Sequence, residues 1–128
     1  MTRNPVGWFE IYVSNMARAR AFYERTLACS LQRLEGPPGD TAEMWSFPMQ
    51  QEEAPGASGA LVKMEHGPSG GGASTIVYFS CDDCAVEAGR VKEAGGHVEK
   101  EKFSIGPYGF IALAVDTEGN MIGLHSMR

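Results

Sequence analysis

Residues 8–27 read WFEIYVSNMARARAFYERTL, and residues 76–95 read IVYFSCDDCAVEAGRVKEAG. Each stretch opens on an apolar run, passes a short polar pair (Ser14-Asn15 or Asp82-Asp83) and continues with helical character. Setting Val13 on Cys81 fixes an offset of 68 residues and brings Asn15 onto Asp83 and Ala17 onto Ala85. Few residues are identical, so it is the pattern that repeats. A supersecondary pattern that returns after a fixed interval marks a duplicated unit.

Within the first copy the side chains alternate. Phe9, Ile11 and Val13 fall on one face of a strand, and Trp8, Glu10 and Tyr12 on the other, because successive strand residues point to opposite sides. Asn15 is placed to cap a helix over about 16–27, its side-chain oxygen accepting N–H groups that have no partner within the helix. Met16, Ala19, Tyr23 and Leu27 form the inward stripe of that helix. In the second copy Val77, Phe79 and Cys81 oppose Ile76, Tyr78 and Ser80. Asp82 or Asp83 caps a helix to about Ala94, with Cys84, Ala88 and Val91 inward, and Gly95-Gly96 ends it because glycine tolerates a left-handed cap.

Strand-like pieces follow each helix, at about 30–35, 42–48 and 59–65, then at about 97–103, 110–116 and 121–126. Turn chemistry separates them at Gly36-Pro37-Pro38-Gly39, at 50–58, at Gly106-Pro107 and at Asp116–Asn120. Pro68–Ala73, reading PSGGGA, is a flexible link between halves. The order is β-α-β-β-β twice. The expected fold class is α+β: two βαβββ modules in tandem, 1–67 and 74–128 of a single domain 1–128, with sheets curled around a shared cleft and helices outside. Trp8, Glu10, Tyr12 and Tyr78 then face the cleft.

A chain of 128 residues with 21% charged and 43% hydrophobic residues is one globular domain's worth. Its net charge of −5 repels a nucleic-acid backbone, and Arg18, Arg20 and Arg25 read as a solvated helix face, so no nucleic-acid partner is expected. The longest apolar run, Phe110–Val115, is too short to cross a bilayer, and MTRNPVGWFE lacks the apolar segment of a secretory signal. A cytoplasmic protein without a membrane partner is expected. Three cysteines, Cys29, Cys81 and Cys84, are an odd count that fits a reducing compartment. The Cys81–Cys84 CxxC sits where redox dithiols sit. However, its cysteines match the core positions Val13 and Met16, and Asp82 and Asp83 oppose a thiolate, so both thiols read as structural. His66, His97 and His125 have no HExxH spacing, and there is no nucleophile elbow, Rossmann glycine pattern or P-loop.

Three segments then carry a resemblance: WFEIYVSNMARARAFYERTL, EAGRVKEAGGHV at 87–98 and DTEGNMIGLHS at 116–126. Together they resemble the vicinal oxygen chelate superfamily, which includes lactoylglutathione lyase (glyoxalase I), bleomycin-resistance proteins and extradiol dioxygenases. Small bacterial proteins described as related to lactoylglutathione lyase look most similar. Thr117 stands where the family's DPxGN turn has proline. The resemblance implies an inward-facing metal site with ligands, typically His or Glu, from the first and last strands of each half. Carried over, those positions are Trp8, Lys63, Ile76 and Gly123. None is an ordinary metal ligand, so no metal and no cofactor are expected. A displacement by two residues would instead bring Glu10, Glu65 and His125 inward.

The expected function is metal-independent binding, or lyase/isomerase-like conversion, of a small organic molecule in the cleft. The ligand-binding residues would be Trp8, Glu10, Tyr12, Lys63, Tyr78 and His125, with Glu10 the catalytic candidate and an ion pair with Lys63 its structural alternative. One rival reading is a sequestering module resembling bleomycin-resistance proteins, using Trp8, Glu10 and Tyr78 around a cationic aromatic ligand. The other is a metal-dependent lyase or dioxygenase with the displaced site. The resemblance also implies a homodimer.

Overall fold

The computed structural model describes residues 3–36, 39–49, 56–65 and 74–128. Pro68–Ala73 and His66 lie outside the described residues. The mixed α+β architecture follows the doubled pattern. In chain order the elements are β1 (Val6–Tyr12), α1 (Met16–Leu27), β2 (Gln32–Leu34), β3 (Glu43–Ser46), β4 (Ser58–Lys63), β5 (Thr75–Ser80), α2 (Cys84–Val91), β6 (His97–Ser104), β7 (Phe110–Val115) and β8 (Met121–Ser126). The chain divides into two compact units, one spanning Phe9–Thr75, the other joining the chain up to Trp8 to Ile76–Arg128.

In the Phe9–Thr75 unit the strands run in the order β2-β3-β4-β1, with β2/β3 and β3/β4 antiparallel. Asn15 caps α1 as its spacing predicts, its Oδ1 accepting from the Arg18 N–H at 3.0 Å. At the other end Ala28 takes a left-handed conformation, φ 51°, and its N–H and that of Cys29 both turn back to the Glu24 carbonyl. Met16, Leu31 and Leu61 are buried together, with Ile11, Val13, Ala19, Tyr23, Trp45 and Phe47 packed around them. Leu27 departs from the expected inward stripe. It is 56% exposed at the last position of α1, next to the left-handed Ala28. Arg20 departs from the expected solvated cluster. Its guanidinium stacks 3.5 Å from the centre of the Trp45 ring and pairs with Glu24 at 3.7 Å. Arg18 and Arg25 are exposed.

In the other unit β6-β7-β8-β5 repeats that order, with β6/β7 and β7/β8 antiparallel and β5/β8 parallel. Asp83 caps α2 from the position 68 residues after Asn15, its Oδ1 accepting from Ala85 N at 3.0 Å. Lys102 of β6 donates to the same oxygen at 2.8 Å and holds Asp83 below the usual carboxylate range, with the Ala85 N–H adding to the effect. The regular helix stops at Val91 rather than Ala94, because Lys92–Ala94 form its closing turn. Gly96 N–H bonds Val91 O and Gly95 N–H bonds Lys92 O, the paired hydrogen bonds of a Schellman end, with Gly95 at φ 101°. Cys84, Ala88, Ala112 and Leu124 form this unit's core, with Phe79, Cys81 and Phe110 against it. Ser126 knits the core shut. Its buried hydroxyl accepts from Cys84 N at 2.9 Å and donates to Arg128 O at 2.8 Å.

Candidate functional site

Two hydrogen bonds align the halves. Val13 N–H donates to Val62 O at 2.9 Å, and Cys81 N–H donates to His125 O at 2.7 Å. The first strands therefore match at an offset of 68, and the last strands match Val62 with His125. Glu10 corresponds to Tyr78, Tyr12 to Ser80, Ala60 to Gly123 and Lys63 to Ser126. Each unit's sheet has a face turned from its helix, and those faces can be read off side by side.

In the Phe9–Thr75 unit, Ile11, Val13 and Leu61 belong to the helix-side core. Alternation puts Glu10, Tyr12, Ala60 and Val62 on the opposite face, joined by Met44 and Ser46, which pair with Val62 and Ala60. Tyr12 is only 9% exposed, and its hydroxyl donates to Glu10 Oε1 at 2.6 Å. That is the short distance of a hydrogen bond to a charged acceptor. Glu10 is half-buried. The sequence leads one to expect Lys63 on this face. The structure gives it the parity of Leu61, and it is exposed at the end of β4. Glu65 lies exposed beyond that end. Trp8, one alternation before Glu10 on β1, is half-buried.

In the other unit, Phe79 and Leu124 mark the helix side. The opposite face carries Tyr78, Ser80, Gly123 and His125, with Ile111 and Leu113 paired to His125 and Gly123. Tyr78 is 7% exposed, and its ring lies against Gly123. A Cβ at 123 would sit 2.8 Å from Tyr78 Cγ and closer still to Cδ1 and Cε1. The final-strand position therefore offers no side chain and has no room for one. His125 is half-buried, with Nε2 at 2.6 Å from the Tyr108 carbonyl oxygen.

The same device appears once in each unit, on opposite faces. Phe9 lies against Gly59, where a Cβ would collide with the phenyl ring, but there the aromatic fills the helix-side core. One residue of phase separates the two pairs. As a result the Phe9–Thr75 unit presents a carboxylate where the other presents an aromatic ring. Ser46, Ile111 and Leu113 complete these faces beside Ser80, and only strand register reveals these three.

The CxxC pair is structural in setting. Cys84 is fully buried. Burial raises the Cys81 thiol to a pKa of about 11, with the nearby Glu87 carboxylate and Cys84 adding to the effect. The opposing charge is thus Glu87, one helical turn on, rather than Asp82 or Asp83. Among the described residues no group of three or more His, Cys, Asp or Glu side chains is placed to hold a metal ion, and no helix is long and apolar enough to cross a membrane.

The family model for the Glyoxalase/Bleomycin resistance protein/Dioxygenase superfamily matches residues 6–124. No curated protein matches the chain in sequence. Among solved structures, a variant of Streptomyces coelicolor methylmalonyl-CoA epimerase in complex with 2-nitronate-propionyl-CoA is similar over 96% of both chains, at 15% identity and a TM-score of 0.70. A methylmalonyl-CoA epimerase in complex with methylmalonyl-CoA and NH4+ is similar over 96% of this chain and 94% of that one, at 15% identity and a TM-score of 0.66. A hypothetical protein from Bacillus halodurans C-125 covers 96% and 94%, at 13% identity and a TM-score of 0.68. At these identities the likeness is one of fold.

Proposed function

We propose that this chain, which belongs to the Glyoxalase/Bleomycin resistance protein/Dioxygenase superfamily, binds a small organic carbonyl compound and moves a proton on it through Glu10, without a metal. The observation that carries the reading is the 2.6 Å hydrogen bond from the Tyr12 hydroxyl to Glu10 Oε1, on the sheet face turned from α1. A carboxylate oriented by a second group is what proton transfer at a C–H next to a carbonyl requires. Tyr12 would position Glu10, and Glu10 would take the proton and return it.

The donor set supports metal independence. Of the positions that the family's metal enzymes use, Trp8 and Ile76 have no lone pair to offer and Lys63 is a cation at neutral pH. Gly123 has no side chain, and the Tyr78 ring occupies the adjoining space. These residues do not fit a resident metal ion. The family resemblance adds the expectation of a homodimer, and the small, odd cysteine count fits a cytoplasmic location.

The test is to incubate the protein with methylmalonyl-CoA, the compound bound by one structural neighbour, in heavy water and to follow deuterium entering C2 by proton NMR. Exchange is expected with the wild type. It should be lost in Glu10→Gln and slowed in Tyr12→Phe, with both variants folded by circular dichroism. Retention of a small molecule in native mass spectrometry that depends on Glu10, without exchange, would point to sequestration of a ligand. If neither exchange nor retention depends on Glu10, the reading fails.

A further inference from the structure

We propose that the outer face of α1 carries a separate binding site for a small aromatic anion, with a planar ring laid on Phe22 and a phosphate or carboxylate group held by Arg25. The site lies within the Phe9–Thr75 unit. It does not depend on Glu10, which belongs to the sheet face turned from α1.

Sequence spacing makes this helix face cationic. Arg18, Phe22 and Arg25 stand at i, i+4 and i+7 of α1, on one side of the helix, with Ala21 among them. Arg20 has Glu24 four residues on and pairs with it at 3.7 Å. No carboxylate stands one turn from Arg18 or from Arg25 in either direction. Among the described residues neither guanidinium is paired with a carboxylate. A chain of net charge −5 thus leaves two cations on one helix face without counter-charge.

Packing braces the aromatic ring of that face. Phe22 is 59% exposed. Its ring meets Tyr23 edge-on, with centroids 5.0 Å apart and planes at 89°. Tyr23 in turn meets Phe47 at 5.7 Å, and both pack on the buried cluster of Met16, Leu31 and Leu61. The ring is therefore supported from the core side and bare on the other.

A cavity of about 430 Å3 opens here, lined by Ala21, Phe22, Arg25 and Thr26. That is the size of a small-molecule site. Helical side chains lean toward the helix N-terminus, so Arg25 reaches over Ala21 and Thr26 over Phe22. Ala21 leaves the room. The guanidinium offers a fork of donors to an anion, Thr26 adds a hydroxyl, and Phe22 offers a surface for stacking.

The experiment titrates the full 15N-labelled chain with phenyl phosphate at about pH 8, where a phosphate monoester carries close to two charges. Ionic strength is held fixed, because salt screens exposed charges. Saturable shifts are expected at the Ala21, Phe22, Arg25 and Thr26 amides. Arg25→Gln should weaken the affinity about tenfold or more, through loss of a charge-assisted contact. Phe22→Ala should weaken it about threefold or more. Both replace exposed side chains, and circular dichroism should show both variants folded. Phenol and inorganic phosphate, each one half of the probe, should shift these amides far less. That comparison on the wild type decides even where a variant fails to fold. The proposal is overturned by the absence of saturable shifts, by an equal response to phenol or to inorganic phosphate, or by shifts centred on β1 instead of α1. It is also overturned if Arg25→Gln lowers the melting temperature and leaves binding unchanged, the result expected of an arginine that only complements the C-terminal end of the helix dipole.

Discussion

Gly123→Ala should destabilise the protein through one side chain. The new Cβ would lie 2.8 Å from Tyr78 Cγ and nearer still to Cδ1 and Cε1, well inside van der Waals contact. Tyr78 is 7% exposed, so its ring must push into its neighbours to yield. Overpacking of this kind costs about 1–3 kcal/mol, and the overlap with three ring atoms argues for the upper half of that range. Unfolding entropy of roughly 2.1 cal/mol/K per residue makes each kcal/mol worth about 4 °C in a chain of 128 residues. The expected loss is therefore roughly 8–12 °C. The sharper assay is a double-mutant cycle in thermal and urea melts. Tyr78→Ala alone should cost about 3–5 kcal/mol by leaving a cavity. Added to it, Gly123→Ala should cost almost nothing, since the ring that it met is gone. A coupling of about 2 kcal/mol in the favourable sense is expected. Additivity to within about 0.5 kcal/mol would show that ring and glycine do not touch, and the steric argument against a metal ligand at 123 would fall with it.

Ala28→Gly should raise stability by about 0.5 kcal/mol, because the left-handed penalty of about 1 kcal/mol at φ 51° outweighs the extra freedom of glycine in the unfolded chain; a lower melting temperature would refute it. Cys81, with its pKa raised to about 11, should react far more slowly with iodoacetamide at neutral pH than an ordinary exposed thiol. Because its folded pKa is raised, its contribution to stability holds below the unfolded pKa of about 8.5 and is lost as pH rises through the folded value, so Cys81→Ala should flatten the alkaline limb of stability against pH. Asp83 and Asp116 behave oppositely. Lys102 depresses the first, and the Asn120 side chain, with the backbone N–H groups of Asn120 and Glu118, depresses the second. Their stabilisation is present above an unfolded pKa of about 4 and is lost as pH falls through their folded values; Asp83→Asn and Asp116→Asn should each shallow the acid limb of a melting series, and unchanged acid limbs would contradict the assignment.

The element order was legible because it rests on local chemistry. Asn15 and Asp83 announce their helices through capping, Gly95-Gly96 announces an end, and alternation announces β1 and β5. What stayed illegible depends on register. From ALVKME alone, Lys63 and Val62 are equally good inward residues, and a slip of one position exchanges the faces of a strand. Only the Val13–Val62 hydrogen bond decides for Val62, and it sends Lys63 to the other side. Arg20 was lost for a similar reason. Its stacking partner Trp45 lies on a strand that sequence spacing does not connect to α1.

The same register explains why a duplicated pattern need not give a duplicated site. An aromatic residue over a glycine is a way to let a first strand and a last strand approach closely, since glycine has no Cβ to resist the ring. In the Phe9–Thr75 unit the pair is Phe9 on Gly59, and the ring strengthens the core under α1. Moved by one residue, as Tyr78 on Gly123, it fills the face turned from α2. Polarity must then appear at different rungs. One unit carries it on the first strand, as Glu10 tied to Tyr12. The other carries it on the last strand, as His125 tied to Tyr108. A symmetric set of four ligands needs corresponding rungs in both halves, and in this chain the aromatic–glycine pairs stand one residue out of phase.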